Sequence, residues 1–192
     1  MAKYECLYVS KKVLDSITDV SNPQGILAVI GKKEGNNSID YNQDLILILD
    51  GIQDPGNLGT ILRTADSVGL KQIIVSANSG DIYNPKVVRS TMGAIFRVEV
   101  IESQNLIEKI KQIKENEFQV VATDLHTNKN IYQVDYSKTA VIIGNEANGV
   151  SKDILQQADF RVKIPMLGNT ESLNASVATG IILYEYVRRK IN

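Results

Sequence analysis

Three short clusters hold the residue types from which a site could be built. The first runs Asp50-Gly51-Ile52-Gln53-Asp54-Pro55-Gly56-Asn57-Leu58-Gly59-Thr60-Ile61-Leu62-Arg63-Thr64. If Asn57 precedes the first helical turn here, its amide points back toward the preceding strand end. Asn57 and Arg63 lie about 600° apart around a helix, so they share no tight face. The plainer reading is an N-cap asparagine and a surface arginine. Against it stands the setting of Arg63 among Ile61, Leu62 and Ala65. A partly buried guanidinium there requires a fixed acidic or phosphate partner.

The second cluster, Gly144-Asn145-Glu146-Ala147-Asn148-Gly149-Val150-Ser151, follows the apolar run Val141-Ile142-Ile143. It is neither a dinucleotide fingerprint, since the third glycine is absent, nor a P-loop, since no Gly-Lys-Ser/Thr follows. Taken alone it is a turn. Its glycines also let a ligand approach the backbone, which suits a neutral adenosine better than a polyphosphate. The third cluster is Ile164-Pro165-Met166 followed by Ser172, Asn174 and Ser176 at the start of a long helix. Capping needs only one of those three, so the others are surplus. Val177, Ile181, Tyr184 and Val187 or Arg188 recur at helical spacing and read as packing, either core or subunit interface. His126 has no Ser or Asp triad context and reads as loop polarity, Cys6 lies outside the sheet region, and Arg188-Arg189-Lys190 is a cationic helix end.

The elements that must position these clusters alternate in type from residue 45 onward. Strands are expected over Leu45–Leu49, Gln72–Val75, Arg97–Ile101, Gln119–Thr123, Thr139–Gly144 and Phe160–Lys163. Helices are expected over Asn57–Ser67, from Asn84-Pro85, over Asn105–Glu115, after a Ser151 cap, and over Leu173–Lys190. Such alternation predicts an α/β fold with a mostly parallel sheet covered by helices on both faces. Ligands then bind outside the carboxyl ends of the strands, at the loops after Leu49, Thr123, Gly144 and Lys163. Residues 1–44 read as one helix (Lys11–Asp19), one strand (Gly25–Ile30) and a linker (Lys32–Asn37), too little for an independent domain.

The whole chain has 192 residues and a formal net charge of −1, with 43% hydrophobic residues. That composition is globular and argues against a dedicated, strongly basic nucleic-acid binder. No apolar run approaches the roughly 20 residues of a spanning helix, and the N-terminus lacks a secretory core. One cysteine and one histidine put a Cys/His zinc site out of reach. These features together suggest a soluble, cytoplasmic, metal-free protein.

The three clusters, in this order, resemble the signature motifs of the SpoU family of RNA 2′-O-ribose methyltransferases. Asn57-Leu58-Gly59 through Arg63-Thr64-Ala65-Asp66 is similar to the first, Gly144 to Val150 to the second, and Ile164-Pro165-Met166 with Ser172 to Ala178 to the third. The resemblance covers about residues 45 to 190 and implies a SPOUT domain over 45–192. It implies a C-terminal deep trefoil knot, otherwise almost unknown in proteins. It also implies a homodimer whose sites draw on both subunits, and S-adenosylmethionine as cofactor. By family correspondence Leu125, Gly144, Asn145, Ile164, Met166 and Leu173 line the cofactor pocket. Arg63 activates the ribose hydroxyl, and Asn57, Glu146, Ser172 and Asn174 organise the site. The substrate implied is structured RNA, ribosomal rather than transfer RNA, with transfer RNA or a non-catalytic ribosome-assembly role as the alternatives. Residues 1–44 resemble only the tail of the RNA-binding domain that precedes the knot in most members, notably at Asn22 to Val29. The chain is therefore read as a truncated or a short member.

Overall fold

The computed structural model describes residues 4–32 and 38–191. Six strands form one sheet: β1 (Leu45–Asp50), β2 (Gln72–Ser76), β3 (Glu99–Ser103), β4 (Gln119–Thr123), β5 (Thr139–Gly144) and β6 (Phe160–Val162). Their order is β3-β2-β1-β5-β4-β6, and every pairing is parallel. The helices are α1 (Lys11–Ile17), α2 (Pro55–Ser67), α3 (Pro85–Ser90), α4 (Leu106–Glu115), α5 (Lys152–Leu155) and α6 (Ala175–Ile191).

The apolar run of β1 serves two cores at once, because successive side chains leave a strand on opposite faces. Leu45, Leu47 and Leu49 pack with Leu58, Ile61 and Leu62 of α2, Val87 of α3, and Ile182 and Leu183 of α6. Ile46 and Ile48 pack on the other face with Ile110 and Ile113 of α4 and Ile154 of α5. The α/β expectation is met. No described helix is long and apolar enough to cross a membrane.

Several boundaries differ from the sequence reading for identifiable reasons. The Asp54 carboxylate accepts from Asn57 N–H at 2.8 Å, so α2 starts at Pro55 and Asn57 lies inside its first turn. A 3₁₀ turn at Ala94–Phe96 consumes Arg97, which delays β3 by two residues. Ser151 precedes α5, yet its side chain makes no cap bond. The expected strand at Gly25–Ile30 is irregular and exposed, and no other strand pairs with it. The linker read at Lys32–Asn37 lies, from 33 onward, outside the described residues.

The chain divides into two compact units, residues 1–34 and 35–192. In the first, Ser10 Oγ accepts from Val13 N–H at 3.4 Å and caps α1, which buries no residue. In the second, the segment before β1 belongs with the sheet, ten residues ahead of the boundary expected at 44/45. Gln72 holds it by accepting from Asp40 N–H at 2.7 Å and donating to the Ser38 carbonyl at 3.2 Å.

Helix α6 turns Ala175, Thr179, Ile182, Leu183 and Tyr186 inward. Of the two readings of the stripe, core is not met: Val177 and Tyr184 are exposed, and Ile181 and Val187 are half-buried at the core's edge. Glu185 is buried on this helix and accepts from Arg188 at 2.8 Å and Arg189 at 2.7 Å. The Arg188 hydrogen bond, then that of Arg189, holds the Glu185 carboxyl down from 4.5 to about 2 against the opposing effect of burial. A lowered folded-state value means stabilisation present above the unfolded value and lost as pH falls from about 4.5 toward about 2. Urea unfolding of Glu185→Gln should therefore show a shallower loss of stability across that window than the unsubstituted chain.

Gly59 marks the crossing of α2 and α3. A Cβ there would meet Ser90 Oγ at 1.9 Å and the Val87 carbonyl oxygen at 2.7 Å. Gly59→Ala should cost about 1–3 kcal/mol by overpacking. Ser90→Gly in the same chain should recover part of that loss, because the Val87 clash remains.

Candidate active site

Strands β1, β2 and β3 run outward on one side of the sheet, and β5, β4 and β6 lie on the other, so the order reverses between β1 and β5. In open α/β sheets ligands bind at such a switch point, outside the carboxyl ends of the strands. Strands β1 and β5 pair over their full length, from Leu45 opposite Thr139 to Asp50 opposite Gly144, so the loops after them leave side by side.

These two loops are bound to each other by polar groups. Asn145 Nδ2 donates to the Gly51 carbonyl at 2.8 Å, and Ser151 N–H donates to Asp50 Oδ2 at 2.8 Å. Asn145 Oδ1 accepts from Ala147 N–H at 2.8 Å, which commits both ends of its amide to the scaffold. Gly51, in the left-handed region at φ +73°, donates its N–H to Ser76 Oγ at 2.8 Å. The chain that approaches Gly144 closely is its own loop: a Cβ there would lie 2.1 Å from the Gly149 carbonyl carbon and the Val150 nitrogen.

Above this scaffold three motif residues are joined in series. Asn174 precedes α6, and its Oδ1 accepts from Ser176 N–H at 2.9 Å and Val177 N–H at 3.3 Å. Backbone donors thereby fix which end of the Asn174 amide is oxygen, so its Nδ2 faces outward and donates to Asn57 Oδ1 at 2.9 Å. Asn57 Nδ2 must then donate onward, and it does so to Glu146 Oε1. The orientation of each amide is dictated by the one before it, starting from the helix N-terminus.

Other expected site residues are placed differently. Arg63 is exposed rather than partly buried, and it has no ion pair or hydrogen bond among the described residues. Ser172 is exposed and stands outside the three-residue series. Leu125 follows β4 and is half-exposed at 50%, while Ile164, Met166 and Leu173 are partly buried on the segment from β6 to α6. His126 is exposed in the Leu125 loop, donating its backbone N–H to Asp124 at 2.9 Å. Asp50 was missed by the sequence reading. A carboxylate closing five apolar residues was the available signal, since a buried carboxylate needs a donor.

A parallel α/β sheet with a polar site at its switch point, closed by a C-terminal helix, defines the class. The SpoU rRNA Methylase family model matches residues 44–184, and the chain belongs to that family. A Staphylococcus aureus protein assigned to the TrmH family of tRNA/rRNA methyltransferases is 36% identical over 95% of this chain and 77% of its own length. RlmP of Bacillus subtilis, a 23S rRNA (guanosine(2553)-2′-O)-methyltransferase, is 33% identical over 94% of this chain and 71% of its own. The AdoMet-bound rRNA methyltransferase from Sinorhizobium meliloti superposes with a TM-score of 0.86 at 33% identity, covering 94% of this chain and 70% of that one.

The series predicts separable effects. Asn174→Ala should lower stability by about 1 kcal/mol through loss of the cap. Asn174→Asp keeps the cap acceptor but cannot donate to Asn57, so it should lose only the share due to that hydrogen bond. In a double-mutant cycle of urea unfolding, Asn174→Asp and Asn57→Ala should show a nonzero coupling, because either one alone removes the same bond.

Proposed function

We propose that this chain is an RNA 2′-O-ribose methyltransferase that uses S-adenosylmethionine and acts on ribosomal RNA. The observation that carries the reading is the series Glu146–Asn57–Asn174, one residue from each of the three motifs, joined at the switch point. The named activity of the Bacillus relative supports the ribose 2′-oxygen and ribosomal RNA, and the AdoMet-bound neighbour supports the cofactor.

The donor set fits that cofactor. Leu125, Ile164, Met166 and Leu173 place apolar side chains on loops at an otherwise polar sheet end, where they can flank an adenine ring. Gly144 and Asn145 form the floor between them. When bound, S-adenosylmethionine supplies an electrophilic methyl group on its sulfonium. The Arg63 guanidinium stabilises the oxyanion that develops as the ribose hydroxyl gives up its proton to solvent. Asn57, Glu146, Ser172 and Asn174 hold and orient the reacting region, which is the larger share of what a transfer to a weak nucleophile requires.

The working form is a homodimer whose sites draw on both copies. Arg63 lies about 120° around α2 from Asn57, without an ion pair or hydrogen bond among the described residues, and the apolar edge of Val177, Ile181 and Tyr184 lies on the neighbouring α6. The C-terminal segment forms a trefoil knot. In support, β6 is the edge strand, the following Lys163 pairs with Lys129 and Ile131, and Asn174 reaches Asn57 after β1. Residues 163–174 therefore cross the ends of β4 and β5 among the loops that leave them. The unit over residues 1–34 is the tail of an RNA-binding domain, and the protein works in the cytoplasm on structured RNA.

Calorimetric titration with S-adenosylmethionine and S-adenosylhomocysteine should give micromolar dissociation constants. No binding by folded dimer would move the reading to a non-catalytic RNA factor. Arg63→Ala should lower methyl transfer to ribosomal RNA about 100-fold at unchanged cofactor affinity. Near-full turnover of that variant would remove the arginine from the chemistry.

A further inference from the structure

Four of the chain's six arginines are ion-paired: Arg97 with Asp66, Arg161 with Asp124, and Arg188 and Arg189 with Glu185. The two without an ion pair among the described residues are Arg63 and Arg89, both exposed. Packing of α2 on α3 puts them on one wall. Gly59, Arg63 and Asp66 form a row along α2 at i, i+4 and i+7. The row is fastened at both ends to the segment after α3. Gly59 abuts Val87 and Ser90, and Asp66 accepts from Arg97 at 2.7 Å. Residues 90–97 therefore run alongside Arg63.

That segment holds out side chains a fold would otherwise bury. Met92 and Phe96 are each 68% exposed, and Met92 sits in the left-handed region at φ +51°, unusual for a long side chain. The turn beneath them is anchored, since Thr91 is fully buried and its hydroxyl donates to the Val88 carbonyl at 2.8 Å. One helical turn back, Lys86 and Arg89 lie on the same side of α3, both exposed and without carboxylate partners among the described residues.

We propose that Lys86, Arg89, Met92 and Phe96 form a docking surface for the RNA strand adjoining the nucleotide presented to Arg63. Lys86 and Arg89 contact phosphates, and Met92 and Phe96 lie against the face of an unpaired base. The inference rests on the methyltransferase reading above and adds to it where the substrate strand runs. Unpaired cations around an apolar pair match a polyanion with exposed π faces better than a protein surface. A chain with net charge −1 gains no general attraction to RNA, so its phosphate contacts must be local.

The test uses the full chain and an unmethylated transcript of bacterial 23S ribosomal RNA. It reads RNA affinity against salt, methyl-transfer kinetics at saturating cofactor, calorimetric binding of S-adenosylhomocysteine, and solution mass. Lys86→Gln with Arg89→Gln should flatten the slope of log affinity against log salt by about 1.5–2. Met92→Ala with Phe96→Ala should raise KM for RNA about tenfold with the salt slope unchanged. In both variants kcat, S-adenosylhomocysteine affinity and mass should stay as in the unsubstituted chain. RNA affinity and salt slope unmoved in both variants would overturn the surface and leave the methyltransferase reading standing. So would a halved mass, which would make the corner a contact between copies of the chain. A chain that binds the transcript through this corner but neither binds cofactor nor transfers methyl would keep the surface and overturn the methyltransferase reading instead. Absence of RNA binding by the unsubstituted chain would overturn the surface outright.

Discussion

The full-length parallel pairing of β1 with β5 is the constraint on which the rest of the molecule depends. These strands are separated by 88 residues of sequence, from Asp50 to Thr139, yet they lie in register from Leu45 opposite Thr139 to Asp50 opposite Gly144. Both are buried on both faces, so a slip of one residue would exchange the two cores. The fixed register sets Gly51 beside Asn145 and Asp50 beside Ser151, and those two hydrogen bonds turn a pair of independent loops into one floor. The series Glu146–Asn57–Asn174 hangs above that floor.

Two glycines illustrate how closely this architecture is packed. Gly144 and Gly59 both look, by residue type, like places where a ligand or a turn needs room. At each the room is filled by the chain itself: the 149–150 backbone at the first, and Ser90 and the Val87 carbonyl at the second. The first lets the Asn145–Gly149 loop fold back over its own strand. The second lets α3 lie close enough to α2 to bring residues 90–97 beside Arg63. The glycines therefore position neighbouring elements by letting backbones approach.

Charge is distributed with a similar division of labour. Most arginines are held by carboxylates on the scaffold, and the pair bound by Glu185 steadies the C-terminal half of α6. Among the described residues Arg63 and Arg89 have no such partners on the α2–α3 wall. Under the function proposed above, these guanidinium groups are preorganised for an anion that arrives with the substrate.

Much of this was legible in the sequence. Apolar runs of five or six residues, helical spacing of Leu58, Ile61, Leu62 and Ala65, and Asn-Pro or Gly punctuation located the elements from β1 to α6, and the motif order pointed to the family. These signals are local, and the residues that carry them keep the same neighbours in the fold. What tertiary structure alone decided is everything that depends on distant partners. The segment Gly25–Ile30 has strand-like residues but no strand beside it, and backbone groups without a partner strand make no sheet. Ser151 looked like a cap, but its N–H is taken by Asp50, 101 residues away. Arg63 looked half-buried among apolar neighbours in sequence, yet helix geometry turns those neighbours inward and the arginine out. Of the three polar groups at the start of α6, Asn174 finds its partner in Asn57, 117 residues away, which only the crossing of the sheet end could bring within 2.9 Å.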